Sequence, residues 1–207
     1  MPLKPQIDTY IKTNRGKQSS VNTSINWFNT AKKSSVDNTV QRLSLTEDFR
    51  KGKMYRFTYD ATTEGLKYFD KNPLIISLGK SKFKNSVCET GLNLNLLPYN
   101  VKINFLSKLY NSYETFIDRE ITGPNINNAR NQKALSFTRD NIMRVIKYYN
   151  AGYAVRNYLD QNRSKSSIIS YENWYRGVLI EEFDFYGFTI NKVYSDYFSY
   201  MKKRQKK

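Results

Sequence analysis

The sequence predicts an α+β protein: a small antiparallel β-barrel, a mostly helical part behind it, and an extended arm in front. Three observations carry this. Residues 52–98 pack several strand-length runs and two turn clusters into one short stretch. Helix-period patterns of any length appear mainly after that stretch. Residues 1–24 are polar, with Pro2, Pro5 and Gly16, and read as an arm ordered against a partner. The expected division is an arm over 1–24, a barrel with a short leading helix over 25–98, and a helical region with a basic tail over 99–207.

In chain order, Ser24 or Asn26 can cap a short helix running to Lys33. Trp27 and Phe28 stand side by side in it. They are candidate docking residues, either for the chain's own barrel or for a neighbouring subunit. Tyr55, Phe57 and Tyr59 alternate with Arg56, Thr58 and Asp60, which puts three aromatics on one face of a strand. Gly65 closes a turn before Leu66–Phe69, so a hairpin is expected there. Asp70-Lys71-Asn72-Pro73 is a second turn cluster. Leu74–Leu78 is a continuous apolar run, as in a strand buried on both faces. Lys80, Lys82 and Lys84 form an exposed basic tip. Leu92, Leu94 and Leu96 alternate with Asn93 and Asn95 in a further strand, and Pro98 suits the first turn of a helix. So many short strands in so few residues require strong curvature, hence a barrel of the SH3-like kind.

Beyond the barrel, Val101, Phe105, Leu106 and Leu109 set a helix over Tyr99–Ile117. Residues 122–138 read as a long polar connection containing Gly123-Pro124, Arg130 and Lys133. Further helices are expected to run through Tyr149 after a cap at Thr138–Asn141, over Tyr153–Arg163, over Glu172–Glu182, and over Asn191–Lys203, with a short extended piece at Ile168–Tyr171. The tail, Lys202, Lys203, Arg204, Lys206 and Lys207 around Gln205, is almost all cationic.

Composition narrows the function. The chain carries 34 basic and 18 acidic residues, a formal charge of +16, which favours polyanionic partners. Codon bias toward Asn, Lys, Ile and Tyr accounts for part of that charge. There is no His, which removes the commonest general base and most zinc sites. The one cysteine, Cys88, falls in a predicted strand, where a buried inert thiol is expected. No apolar run is long enough for a membrane-spanning helix, and the N-terminus lacks the apolar core of a signal peptide. No glycine-rich phosphate loop occurs. Glu47-Asp48 and Glu181-Glu182 are adjacent pairs that point apart. Asp60, Asp70, Glu89 and Asp118 show no spacing that would build a carboxylate-only magnesium site. No enzyme, cofactor or metal is expected.

At this point specific residues bring a family into view. An aromatic strand ending in Tyr59-Asp60 is followed by Asp70, Pro73 and Leu74, then by Gly91-Leu92-Asn93 and Leu97-Pro98 ahead of a helix. This order resembles the DNA end protector proteins of T4-like phages and their relatives. The likeness is strongest over 52–106 and extends more weakly over 25–200. Phe69 stands where the family often has Tyr, and the segment from Tyr158 to Ser167 lacks the family's His. The resemblance implies a virion head-completion protein, assembled in the host cytoplasm and held at the head–tail junction with the packaged DNA end. Portal and other neck or tail proteins and double-stranded DNA are then the expected partners, with a ring homo-oligomer as one form and no membrane. Candidate DNA contacts are Lys80, Lys82, Lys84, Arg130, Lys133, Lys202, Lys203, Arg204, Lys206 and Lys207. Two alternatives stay open: a ring or adaptor subunit making only protein contacts, and a nucleic-acid-binding barrel outside the virion.

Overall fold

The computed structural model describes residues 9–10, 44–45, 49–61, 69–120, 142–169, 174 and 185–205. Eight strands and three helices are found among them. The strands are β1 (Ser44–Leu45), β2 (Met54–Tyr59), β3 (Phe69–Asp70), β4 (Leu74–Phe83), β5 (Ser86–Asn93), β6 (Val155–Leu159), β7 (Arg163–Ile169) and β8 (Phe185–Tyr186). The helices are α1 (Tyr99–Glu120), α2 (residues 142–148) and α3 (Ile190–Gln205). The fold is α+β, as expected.

Six strands form one antiparallel sheet in the order β1-β7-β2-β4-β5-β6. Its centre is built by the expected alternation. Leu74 and Ile76 of β4 join Met54, Leu92 and Leu94 in a core against Val101, Phe105 and Leu109 of α1. Ile75 points the other way, into a cluster of Phe49, Tyr55, Phe57, Tyr59 and Tyr158. Leu74–Ile76 is therefore buried on both faces, and the three alternating aromatics of β2 do share one face. Gly91 lies close beneath Ile75: a Cβ there would meet Ile75 Cδ1 at 2.5 Å.

α1 begins where Pro98 was expected to start it. The Pro98 carbonyl accepts from Lys102 N–H at 2.8 Å. The Tyr99 N–H, an orphan donor of the first turn, reaches Tyr194 Oη of α3 at 3.1 Å. The last expected helix is present as α3, and the one ending near Tyr149 is present as α2.

The strand expected to run through Leu96 ends at Asn93, and a 3₁₀ turn over Leu94–Leu96 follows, with Asn93 Oδ1 accepting from the Asn95 N–H at 2.8 Å. Four further expectations change. First, the strand ladder does not close into a barrel: among the described residues no pairing joins β6 to β7 or to β1. β6 and β7 are linked by a single 3₁₀ turn, Asp160–Asn162, which turns the chain from one side of the β2-β4-β5 unit to the other. Second, Tyr153–Arg163 is not a helix. Asn150 adopts a left-handed conformation at φ 52, a 3₁₀ turn follows over Ala151–Ala154, and β6 pairs with β5. The open edge of β5 outweighs local helix preference, since its backbone groups would otherwise lack partners. Third, the hairpin expected at Gly65 with Leu66–Tyr68 lies outside the described residues, and Phe69, the end of its expected return strand, pairs with Tyr186 of β8 in a separate two-stranded ribbon. Fourth, the sheet draws β6 and β7 from beyond residue 98, so that boundary does not separate a strand region from a helical one. Of the expected extended arm, Thr9 and Tyr10 are described: both are helical, and Tyr10 is buried in the main core. The rest of the arm, the leading helix with Trp27 and Phe28, and the segment over 172–182 apart from Trp174 lie outside the described residues.

Candidate nucleic-acid interface

The β4–β5 hairpin leaves the core through a kink. Its register shifts between Ser77 and Gly79, and Gly79 has φ +104. Lys51 crosses here so closely that a Cβ on Gly79 would overlap its side chain. Such a bulge adds local twist and carries the outer strands away from the sheet. Beyond it, Lys80 and Lys82 alternate with Ser81 and Phe83, and the strands join through Lys84–Asn85. Lys84 occupies a left-handed position at φ 53. A glycine would sit there with less strain, by about 1–2 kcal/mol, but would carry no charge.

All three lysines are exposed, as expected. Their surroundings differ. Lys80 Nζ lies 3.7 Å from Asp160 Oδ2, while Asp160 also receives Arg163 at 2.8 Å. The Arg163 guanidinium stacks 4.0 Å over the Phe49 ring. Lys82 and Lys84 have no acidic partner among the described residues, and Lys84 rests near the Phe83 ring. Phe83 and Val87 are exposed apolar residues on the same projection. Lys202 and Lys203 are exposed on α3 and Arg204 lies in its last turn. Arg130, Lys133, Lys206 and Lys207 lie outside the described residues. The hairpin thus gathers three of the ten candidates, and α3 places Lys202 and Lys203 on a different element.

The acidic residues do something else. Asp70 was expected at an open turn, yet it is buried. Its Oδ2 accepts from Asn93 Nδ2 and Asn95 Nδ2, both at 3.0 Å, and its Oδ1 accepts from the Asn72 N–H at 3.1 Å. Asn93 also donates to Tyr158 Oη at 2.9 Å. Burial pushes the Asp70 carboxyl above its usual range, against the opposing pull of these donors and of Lys102. Glu89 is buried as well. It accepts from Ser77 Oγ at 2.5 Å, its second oxygen has no hydrogen-bond partner among the described residues, and burial raises its pKa. Neither carboxylate is exposed to solvent. Among the described residues no group of three or more Cys, Asp or Glu could hold a metal ion. Cys88 is buried, its Sγ 3.1 Å from Ser81 Oγ.

Sequence reasoning did not place three features: the Asp70 network, the Arg163–Phe49 stack, and an exposed stripe of Met143, Arg144, Lys147 and Tyr148 on α2. The stripe has a signal, since its residues recur at helical i, i+1, i+4 and i+5 spacing.

Fold and site together define an α+β protein with a projecting basic hairpin and two buried carboxylates, Asp70 and Glu89. A family model described as Phage T4 terminal DNA protecting protein matches residues 5–123, more than half of the chain. The chain belongs to that family. The match takes in β1 through α1 and the hairpin, and it ends before α2, β6, β7 and α3. No curated protein and no solved structure matches the chain.

Proposed function

We propose that this chain is a virion protein that binds and shields the end of packaged double-stranded DNA. The position for this work is the head–tail junction, against portal and neck or tail proteins, where the chain assists head completion. The observation that carries the reading is the exposed Lys80–Lys82–Lys84 hairpin lying inside the segment matched by the family. Such contacts go to phosphates, so binding is salt-dependent and little concerned with sequence. No chemistry on the DNA is part of this reading: Asp70 and Glu89 are buried and held within the fold. The 3₁₀ turn between β6 and β7 supports viewing β7-β2-β4-β5-β6 as a curled, partly open barrel of SH3-like kind.

The test is end protection. The purified chain should slow an exonuclease on linear duplex, and its affinity should fall steeply between low and moderate salt. Mass spectrometry should find it in mature particles. Absence from particles removes the virion assignment, and metal-dependent cleavage of DNA ends removes the non-enzymatic one. A second reading, a ring or adaptor subunit making only protein contacts, is favoured by Phe83 and Val87 exposed beside the lysines. Absent or salt-insensitive DNA binding would select it.

A further inference from the structure

A second surface lies beyond the segment that the family covers. α2 turns Ile142, Val145 and Ile146 into the core and leaves Met143, Arg144, Lys147 and Tyr148 outside. Arg144 and Tyr148 are one helical turn apart and therefore neighbours. Tyr148 is 76% exposed and Met143 51%, unusual for such side chains on a helix whose other face is already packed. Beside this stripe an open groove of 340 Å³ runs between α2 and α3. Met143, Arg144, Ile146, Lys147, Gly152 and Tyr200 line it. Gly152 faces Tyr200 across it: a Cβ there would lie 3.6 Å from Tyr200 Oη, in ordinary contact, so a larger side chain would fill the space. The Tyr200 ring is braced by Tyr153, with centroids 5.4 Å apart. Helical spacing places exposed Lys203 on the Tyr200 side of α3. Among the described residues no acidic side chain lines the groove.

We propose that the α2–α3 groove takes an unpaired terminal nucleotide of the DNA end. The chemistry argues for that occupant. The walls are apolar and aromatic while the rim is cationic, so a fitting ligand joins a flat apolar ring to an anion. The volume is at the low end of ligand clefts, which span about 300–1,000 Å³. It has room for a base but not for a duplex. An apolar peptide would leave Arg144 and Lys147 facing nothing of opposite charge. A base lying against Tyr200, its phosphate held by Arg144 and Lys147 and the next base offered the Tyr148 ring, uses every feature of the surface.

This inference rests on the DNA-end reading, and the experiment separates the two. Binding of the full chain is measured by anisotropy on a blunt duplex and on the same duplex with a three-nucleotide overhang carrying terminal 2-aminopurine. The expected result is about tenfold tighter binding of the overhang, with quenching of the probe by stacking. Tyr148→Ala and Gly152→Leu should each reduce that preference several-fold and leave blunt-duplex affinity unchanged. Both positions are exposed, and a thermal melt confirms that each variant folds. Arg144→Gln should flatten the salt dependence on the overhang, which Tyr148→Ala should not. Equal binding of both duplexes, or a preference that survives both variants, overturns the groove assignment and leaves the DNA-end reading standing. Binding to neither duplex overturns both. Loss of particle incorporation by Gly152→Leu with the overhang preference intact would make the occupant a protein and overturn the proposal.

Discussion

The root and the tip of the β4–β5 hairpin are one pair of strands with opposite environments. At the root, Leu74–Ser77 faces Gly91–Asn93 and every one of these residues is buried. At the tip, Lys80, Lys82, Phe83, Lys84 and Val87 are exposed. Between them lies the Ser77/Gly79 register shift, with Glu89 hydrogen-bonded to Ser77 at the border. The difference teaches that strand pairing is indifferent to what its side chains do. Backbone bonds run the length of the hairpin, while burial ends near the bulge on β4 and reaches only as far as Cys88 on β5. Stability is therefore concentrated at the root, and partner binding is left to the tip.

The sharpest way to break this contrast is Ile75→Ala. Ile75 is fully buried between β2, β5 and the aromatic cluster, so a loss of about 2–5 kcal/mol is expected in chemical denaturation. A loss under about 1 kcal/mol would mean the root is not the anchor. Asn93→Ala comes next. It removes the donor shared by Asp70 and Tyr158, leaving a buried carboxyl short of a partner, and should destabilise by about 1.5–3 kcal/mol.

Glu89→Gln probes the border. Burial raises the Glu89 pKa in the folded state, so the native chain holds this proton more tightly than the unfolded chain, whose carboxyl titrates near about 4.3. Stability from this group is therefore full below the unfolded pKa and declines as pH rises through the folded one. The glutamine variant, which cannot ionise, should melt higher than the parent at pH 8, by an amount on the order of 1 kcal/mol, and match it near pH 4. A gap that widens toward acid would reverse the assignment. The smallest effect on stability belongs to the tip. Lys80→Gln, Lys82→Gln and Lys84→Gln together should change it by no more than about 0.5 kcal/mol. The same variant should weaken duplex binding and lower the salt slope by about 0.9 for each phosphate that is no longer neutralised.

The root was legible in the sequence because period two is a local signal: Tyr55, Phe57 and Tyr59 announce one face and Leu74–Ile76 announce both. The tip was legible as alternating lysines. β6 was not, because Tyr153–Arg163 carries side chains compatible with a helix and its strand partner is far away in sequence. Pairing with β5 decides its conformation, and no window of local pattern contains that information. Asp70 misled for a related reason. Asp in a turn beside Pro73 reads as exposed, and only the return of Asn93 and Asn95 to the same spot explains how it can be buried. The stripe on α2 shows the right spacing, but its meaning depends on Tyr200 across the groove. Lys80 illustrates the limit for charged residues, since its partner Asp160 comes from the turn between β6, expected as a helix, and β7.

The split origin of the sheet bears on how the chain comes to be folded. Tyr55 pairs with Ile168 and Leu92 with Val155, so both flanks of the β2-β4-β5 unit wait for residues synthesised long after it. Pairings between strands this distant in sequence slow folding, because a large loop must close before they contribute. On a ribosome, the early strands would emerge with two bare edges and remain adhesive until β6 and β7 arrive. A late phase of this folding, sensitive to truncation after α2, is built into the topology.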